Sequence, residues 1–144
     1  MGNWVTLVYR IPRQPSAPRV HVWRKLKQLG AIALQDAVWV LPATPRTKEQ
    51  FQWLAVEITE LGGDVTFWAS SLLYATDETG LVKQFEEQVN SGYAEILTAL
   101  KKSKPDLASL ALEFQRLQTL DFFQSPLTAK VRDALLTKRG GNKK

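Results

Sequence analysis

Residues 9–42, YRIPRQPSAPRVHVWRKLKQLGAIALQDAVWVLP, hold the punctuation that decides the fold. Pro12, Pro15 and Pro18 force an extended or turning connection, because proline fixes its own φ and biases the residue before it away from helix. Ser16 is a capping residue and Pro18 a favoured first helical residue, so a helix is predicted to begin there. Val22, Trp23, Leu26 and Leu29 form its apolar, core-facing side, and His21, Arg24, Lys25 and Gln28 its polar side, with Lys27 at the boundary. Gly30 supplies the left-handed conformation that ends a helix. Ala31–Leu34 and Val38–Leu41 are short apolar runs around Gln35-Asp36-Ala37, readable as a β-hairpin or as one long bent strand.

Upstream, Trp4–Tyr9 (WVTLVY) is rich in β-branched and aromatic residues and predicts a central strand buried on both faces, with Arg10 at its end. Downstream, Thr47-Lys48-Glu49-Gln50 has the form of a capping box before a helix striped by Phe51, Leu54, Ala55, Ile58 and Leu61. Gly62-Gly63 stops that helix. Trp53 lies off the stripe, either as a partly exposed residue or as part of a contact surface. Val65, Phe67 and Ala69 alternate with Thr66 and Trp68, a further strand. The order β-α-β-β-α-β predicts an α+β, ferredoxin-like unit over residues 1–78.

From Gly80 the pattern turns helical. Leu81, Phe85, Val89, Tyr93, Ile96 and Leu100 recur at helical spacing, then Leu107, Leu110, Phe114 and Leu117, then Leu127, Val131, Ala134 and Leu135. These stripes predict a helical region over 79–137 that is core-facing or, alternatively, a dimer contact. Residues 138–144 read as a disordered basic tail.

A chain of 144 residues can bury a core without a staple. It has no cysteine and one histidine, which excludes thiol catalysis, disulfides and zinc sites built on Cys or several His. No apolar run approaches the roughly 20 residues of a membrane span. The start lacks a basic region and a small-residue cleavage site, which predicts a cytoplasmic protein. The net charge of +5 is unevenly spread: residues 1–48 carry eight Lys or Arg against one acid, and residues 49–137 carry seven against thirteen.

The candidate nucleic-acid-binding residues are therefore Arg10, Arg13, Arg19, Arg24, Lys25, Lys27, Arg46 and Lys48. Cations spread over a helix and its flanking loops suit the phosphates of a duplex, with affinity that falls as salt rises. Arginine also suits a small tetrahedral oxyanion, and the remaining reading is a solvated face. No glycine loop of the phosphate-cradling kinds follows the first strand. His21 lies on a basic helix face with no acid near in sequence, so no Ser-His-Asp system is expected. The acid pairs Asp77-Glu78 and Glu86-Glu87 read as helix N-terminal charge and solvation rather than a magnesium site.

The run Trp4–Pro12, then Arg19–Ala31, then Leu34–Pro42, with Trp53-Leu54, Glu60-Leu61-Gly62-Gly63, Tyr93 and Asp121-Phe122-Phe123, resembles the N-terminal domain of the chromate resistance regulator ChrB. The resemblance implies a bacterial DNA-binding repressor of a chromate-efflux operon, without enzymatic activity, cofactor or metal. Such proteins carry a further C-terminal domain; this sequence ends where it would begin, which implies DNA binding without a chromate response, or a separate sensor partner.

More distantly, the Tyr9-x-Ile11-Pro12, Gly30 and Leu34-Gln35-x-x-Val38-Trp39 pattern is similar to the ferredoxin-like subunit of CRISPR adaptation and the middle domain of PaaX-type repressors. That likeness implies a homodimer. Nucleases of the CRISPR family hold a metal-binding aspartate after the first-strand tyrosine, where this chain has Arg10. The alternatives to a DNA-binding regulator are a homodimeric interaction module serving a separate sensor and, disfavoured by Arg10, a metal-dependent nuclease.

Overall fold

The computed structural model describes residues 3–74 and 78–140. The chain divides into two compact units, Met1–Glu78 and Thr79–Lys144. In the first, β1 (Trp4–Arg10), α1 (Ala17–Gln28), β2 (Ile32–Gln35), β3 (Val38–Pro42), α2 (Pro45–Glu60) and β4 (Asp64–Ser70) follow one another. The sheet order is β2-β3-β1-β4, and each adjacent pair is antiparallel. This is the ferredoxin-like arrangement: β1 and β3 are interior, while β2 and β4 form the edges.

The helices cover one face of that sheet. Val5, Leu7, Trp39 and Leu41 on this face are buried, as are Val22 and Leu26 of α1 and Phe51, Leu54 and Ile58 of α2. β1 is interior, and it is closed on both faces only at its start: on the face away from the helices Trp4 is 4% exposed, but Val8 is 38% exposed. The alternation of a strand sends Val8 away from the helix layer that seals Leu7.

Trp23, expected in the core, is 51% exposed. At about 100° per residue, Leu26 and Leu29 fall within about 40° of Val22 around the axis, and Trp23 falls about 100° away, at the rim of the stripe. Val22 and Leu26 are fully buried instead. Ser16 occupies the N-cap of α1 without a side-chain capping bond. At the other end Gly30 has φ 79°. Its N–H donates to the Lys27 carbonyl at 3.1 Å and the Ala31 N–H to that of Leu26 at 3.1 Å, closing the last turn.

β2 and β3 form a hairpin, not one bent strand, with a bulge between Ala33 and Gln35. Ala37 takes φ 62° in its turn. α2 starts earlier than expected. Thr44 is its N-cap and Thr47 its third residue, joined in a reciprocal capping box. Pro45 explains the shift: it holds Thr44 extended and suits the first helical position. Thr47 is fully buried and donates to the Pro42 carbonyl at 2.6 Å.

Gly62, with φ 87°, ends α2, and Gly63 then lets β4 pass close to β1. A Cβ on Gly63 would lie 2.7 Å from the Arg10 carbonyl oxygen and 2.9 Å from side-chain carbons of Ile11 and Ile58. Two of those three groups belong to the β1 exit, so the contact cannot relax locally. Gly63→Ala is expected to cost roughly 1–3 kcal/mol, the range for overpacking a close contact, read as a lowered urea midpoint with unchanged m-value.

The second unit consists of α3 (Thr79–Leu100), α4 (Leu107–Leu120) and α5 (Leu127–Gly140). Their stripes meet in one core of Val89, Tyr93, Ile96, Leu100, Phe114, Leu117, Leu120, Val131 and Leu135. Gly92 allows the α3–α4 approach, since a Cβ there would lie 2.7 Å from Leu117 Cδ2. Phe85 packs edge-on against Phe122, with centroids 5.8 Å apart. α5 continues through Lys138 and Arg139 to Gly140, where a disordered tail was expected from Lys138. Cations in a last turn suit the negative end of a helix. Residues 141–144 and Asp77 lie outside the described residues. Among the described residues, no helix is long and apolar enough to cross a membrane.

Candidate nucleic-acid interface

Topology sorts the eight cations. β2 runs parallel to β1, so α1 carries the chain back along the sheet and ends at the edge where α2 begins. Arg10, Arg13 and Arg19 therefore lie at one end of the unit, and Lys25, Lys27, Arg46 and Lys48 at the other. Arg24 lies between. The twelve residues of α1 span about 18 Å. The first end also holds acids: Glu57, Glu60 and Asp64 close α2 and open β4 there. The one contiguous sequence cluster is thus a mixed-charge end and a cationic end, joined by α1.

Arg10 is paired. Its Nη2 donates to Asp64 Oδ2 at 3.1 Å across the β1–β4 rung that sets the two residues opposite each other. Both side chains are more than four-fifths exposed, so the pair adds little stability, but it neutralises the cation locally. The β-α-β-β-α-β order itself contains the signal that could have found this, because it places the start of β4 beside the end of β1. His21 likewise has an acid that its sequence neighbourhood does not show: Nε2 lies 3.0 Å from Glu57 Oε1, joining α1 to α2.

Arg19, Arg24 and Lys27 are exposed on α1, and none of the ion pairs among the described residues involves them. Arg24 and Lys27 point furthest from the Val22–Leu26 core stripe. Lys27 Nζ lies 5.9 Å from the centroid of the exposed Trp23 ring, a cation over an aromatic face. Lys25 is half-buried on the α2 side; Arg13, Arg46 and Lys48 are exposed. Arg46 and Lys48 stand in the first turns of α2, which contain no acid in the first turn, so backbone and side chains add positive potential together.

In the second unit a polar cluster joins the helices. Asp121, after α4, accepts from the Ser125 N–H at 2.8 Å, from Thr128 Oγ1 at 2.7 Å and from the Tyr93 hydroxyl at 3.1 Å. Ser125 Oγ bonds to Asn90 Oδ1 and accepts from the Leu127 N–H at 3.1 Å. Burial, ahead of the neighbouring Asp121 charge, holds the Tyr93 phenol above its ordinary value of 10.0. This cluster orders the α4–α5 turn and the start of α5. No group of three or more His, Cys, Asp or Glu among the described residues is arranged to hold a metal ion.

The fold and surface define a ferredoxin-like α+β protein with a helical region and a cationic helix exposed on the sheet-and-helix unit. A family model described as "Protein ChrB, N-terminal" matches residues 19–126. The chain belongs to that family. It is 30% identical over 105 residues to Protein ChrB of Cupriavidus metallidurans, an alignment covering 73% of this chain and 32% of that protein. The chain thus spans about a third of the length of the curated relative it matches. No solved structure matches it.

Proposed function

We propose that this chain is a DNA-binding transcription regulator linked to chromate resistance, acting in the cytoplasm without catalysis. The observation that carries this reading is the exposed cationic face of α1, Arg19, Arg24 and Lys27, which joins no ion pair among the described residues and is continued by Lys25 and the first turns of α2. Membership of the ChrB N-terminal family supports the link to chromate resistance. Contacts of this kind set position and orientation on the duplex; base-edge contacts would have to add sequence preference. Arg10 contributes least, because Asp64 already offsets it.

Fluorescence anisotropy with the duplex upstream of its own operon tests the reading. Binding should weaken linearly in log–log form as salt rises, with a slope of about −0.9 per phosphate contact. No binding at 20–50 mM salt, taken as roughly the low end of the useful window, would overturn it. Co-purification with a separate sensor protein in the absence of DNA binding would instead favour the interaction-module reading.

A further inference from the structure

β4 is a strand edge with no defence. It runs seven residues, DVTFWAS, in unbroken register with β1, and no strand among the described residues pairs with its outer side. Exposed edges are ordinarily protected by lysine, proline, a bulge or shortness. β4 has none of these, and its only charge, Asp64, is tied to Arg10. Phe67 is 37% and Trp68 58% exposed, and the chain continues into Leu73 and Tyr74 at 94% and 95%. Beside the edge lies a groove of about 530 Å³ lined by Gln52, Ala55, Val56, Thr59, Val65 and Phe67, among others.

We propose that the occupant of this edge is a second copy of the chain, paired antiparallel through β4 about a two-fold axis at Phe67. The pattern is self-complementary in that register. Phe67 meets the partner's Phe67 on the helix-covered face, Val65 meets the partner's Ala69, and Trp68 meets the partner's Thr66 on the open face. Asp64 meets the partner's Ser70, so no like charges oppose each other. Continuing the register brings Leu72 and Leu73 beside the partner's Gly62 and Leu61, next to its groove. Leu61 is itself 37% exposed.

Charge complementarity on the helix layer favours a second copy over an unrelated strand. α2 contacts β4 and β1, so the two-fold sets α2 antiparallel to the partner's α2 across the seam. Arg46 and Lys48 begin that helix, and Glu60, which lines the groove, ends it, while Glu57 turns the other way to meet His21 on α1. The antiparallel pair therefore brings the basic end of each α2 towards the acidic end of the other. α1 lies on the far side of α2, so its cationic face stays open. The inference does not depend on what α1 binds.

The absence of cysteine makes the register directly measurable. In Phe67→Cys the new thiols face each other across the axis, with Cα atoms about 4.5–5.5 Å apart, within disulfide reach. In Ser70→Cys they are separated by six residues of strand, about 20 Å. Copper(II)-phenanthroline in air should convert Phe67→Cys, and not Ser70→Cys, into a covalent dimer. Wild-type protein should show twice the chain mass of 16.3 kDa by light scattering. If Phe67→Cys does not fold, Val65→Cys with Ala69→Cys reports the same register through two opposed pairs. A monomer at about 100 μM, a concentration at which a μM dimer would be saturated, or equal cross-linking of Phe67→Cys and Ser70→Cys, overturns the proposal.

Discussion

Replacing Arg19, Arg24 and Lys27 together with glutamine is expected to weaken duplex binding roughly 10²–10³-fold at 0.1 M salt. The magnitude follows from counterion release. Each lost phosphate contact removes about 0.9 from the log–log salt slope, which is worth about eightfold between 0.1 M and 1 M salt. Three contacts then lower the slope by about 2.7 and the affinity by the stated range. Glutamine has nearly the helix propensity of arginine and lysine, so α1 should persist. An unchanged urea midpoint would separate lost binding from lost folding. Arg10→Gln is the internal comparison: paired with Asp64, it should change the slope least. A larger effect from Arg10 than from the α1 triple would place the interface at the mixed-charge end.

Asp121→Ala should be the most damaging polar substitution in the helical unit, at roughly 3 kcal/mol. It removes the acceptor of three hydrogen bonds, from Ser125, Thr128 and Tyr93. The cost is mainly that of the donors left behind, because Tyr93 is fully buried and its hydroxyl keeps only a 3.4 Å contact to Thr128. Tyr93→Phe removes one donor and leaves Asp121 its other two, so about 1 kcal/mol is expected. Equal losses in the two variants would show that the tyrosine bond dominates the cluster.

The same cluster sets an alkaline limit. Tyr93 is held above its ordinary 10.0, first by burial, and Tyr9 is shifted the same way, also first by burial. Well below pH 10 both states keep these phenols protonated and the stability is unaffected. As pH rises past 10 the unfolded chain releases its protons first, so the native state binds more protons and stability falls. The fall in urea midpoint between pH 8.5 and pH 10.5, placed about that value, should be smaller in Tyr93→Phe than in wild type.

Much of the fold was legible because its determinants are local. The prolines at 12, 15 and 18, the glycines at 30 and 62 and the 3.6-residue stripes act within a few residues of themselves, and the elements followed. Two readings failed for a local reason as well. The Thr44-Pro45 pair outcompeted Thr47 for the N-cap, and Trp23 sits about 100° from Val22, beyond the stripe that Val22 and Leu26 close. Asp64 beside Arg10 and Glu57 beside His21 could not be read from neighbours in sequence. They are contacts over separations of 54 and 36 residues.

By itself, then, the sequence determined the element order, the helical stripes, the absence of thiol chemistry and the concentration of positive charge in residues 1–48. Each depends on residue type and spacing alone. Only the tertiary structure decided which of those charges act together. The antiparallel return of α1 and α2 splits the cations between two ends, β-pairing neutralises Arg10, and the sheet order leaves β4 open at the edge. Electrostatic and edge-pairing interactions depend on distance through space, and that distance exists only once the chain has folded.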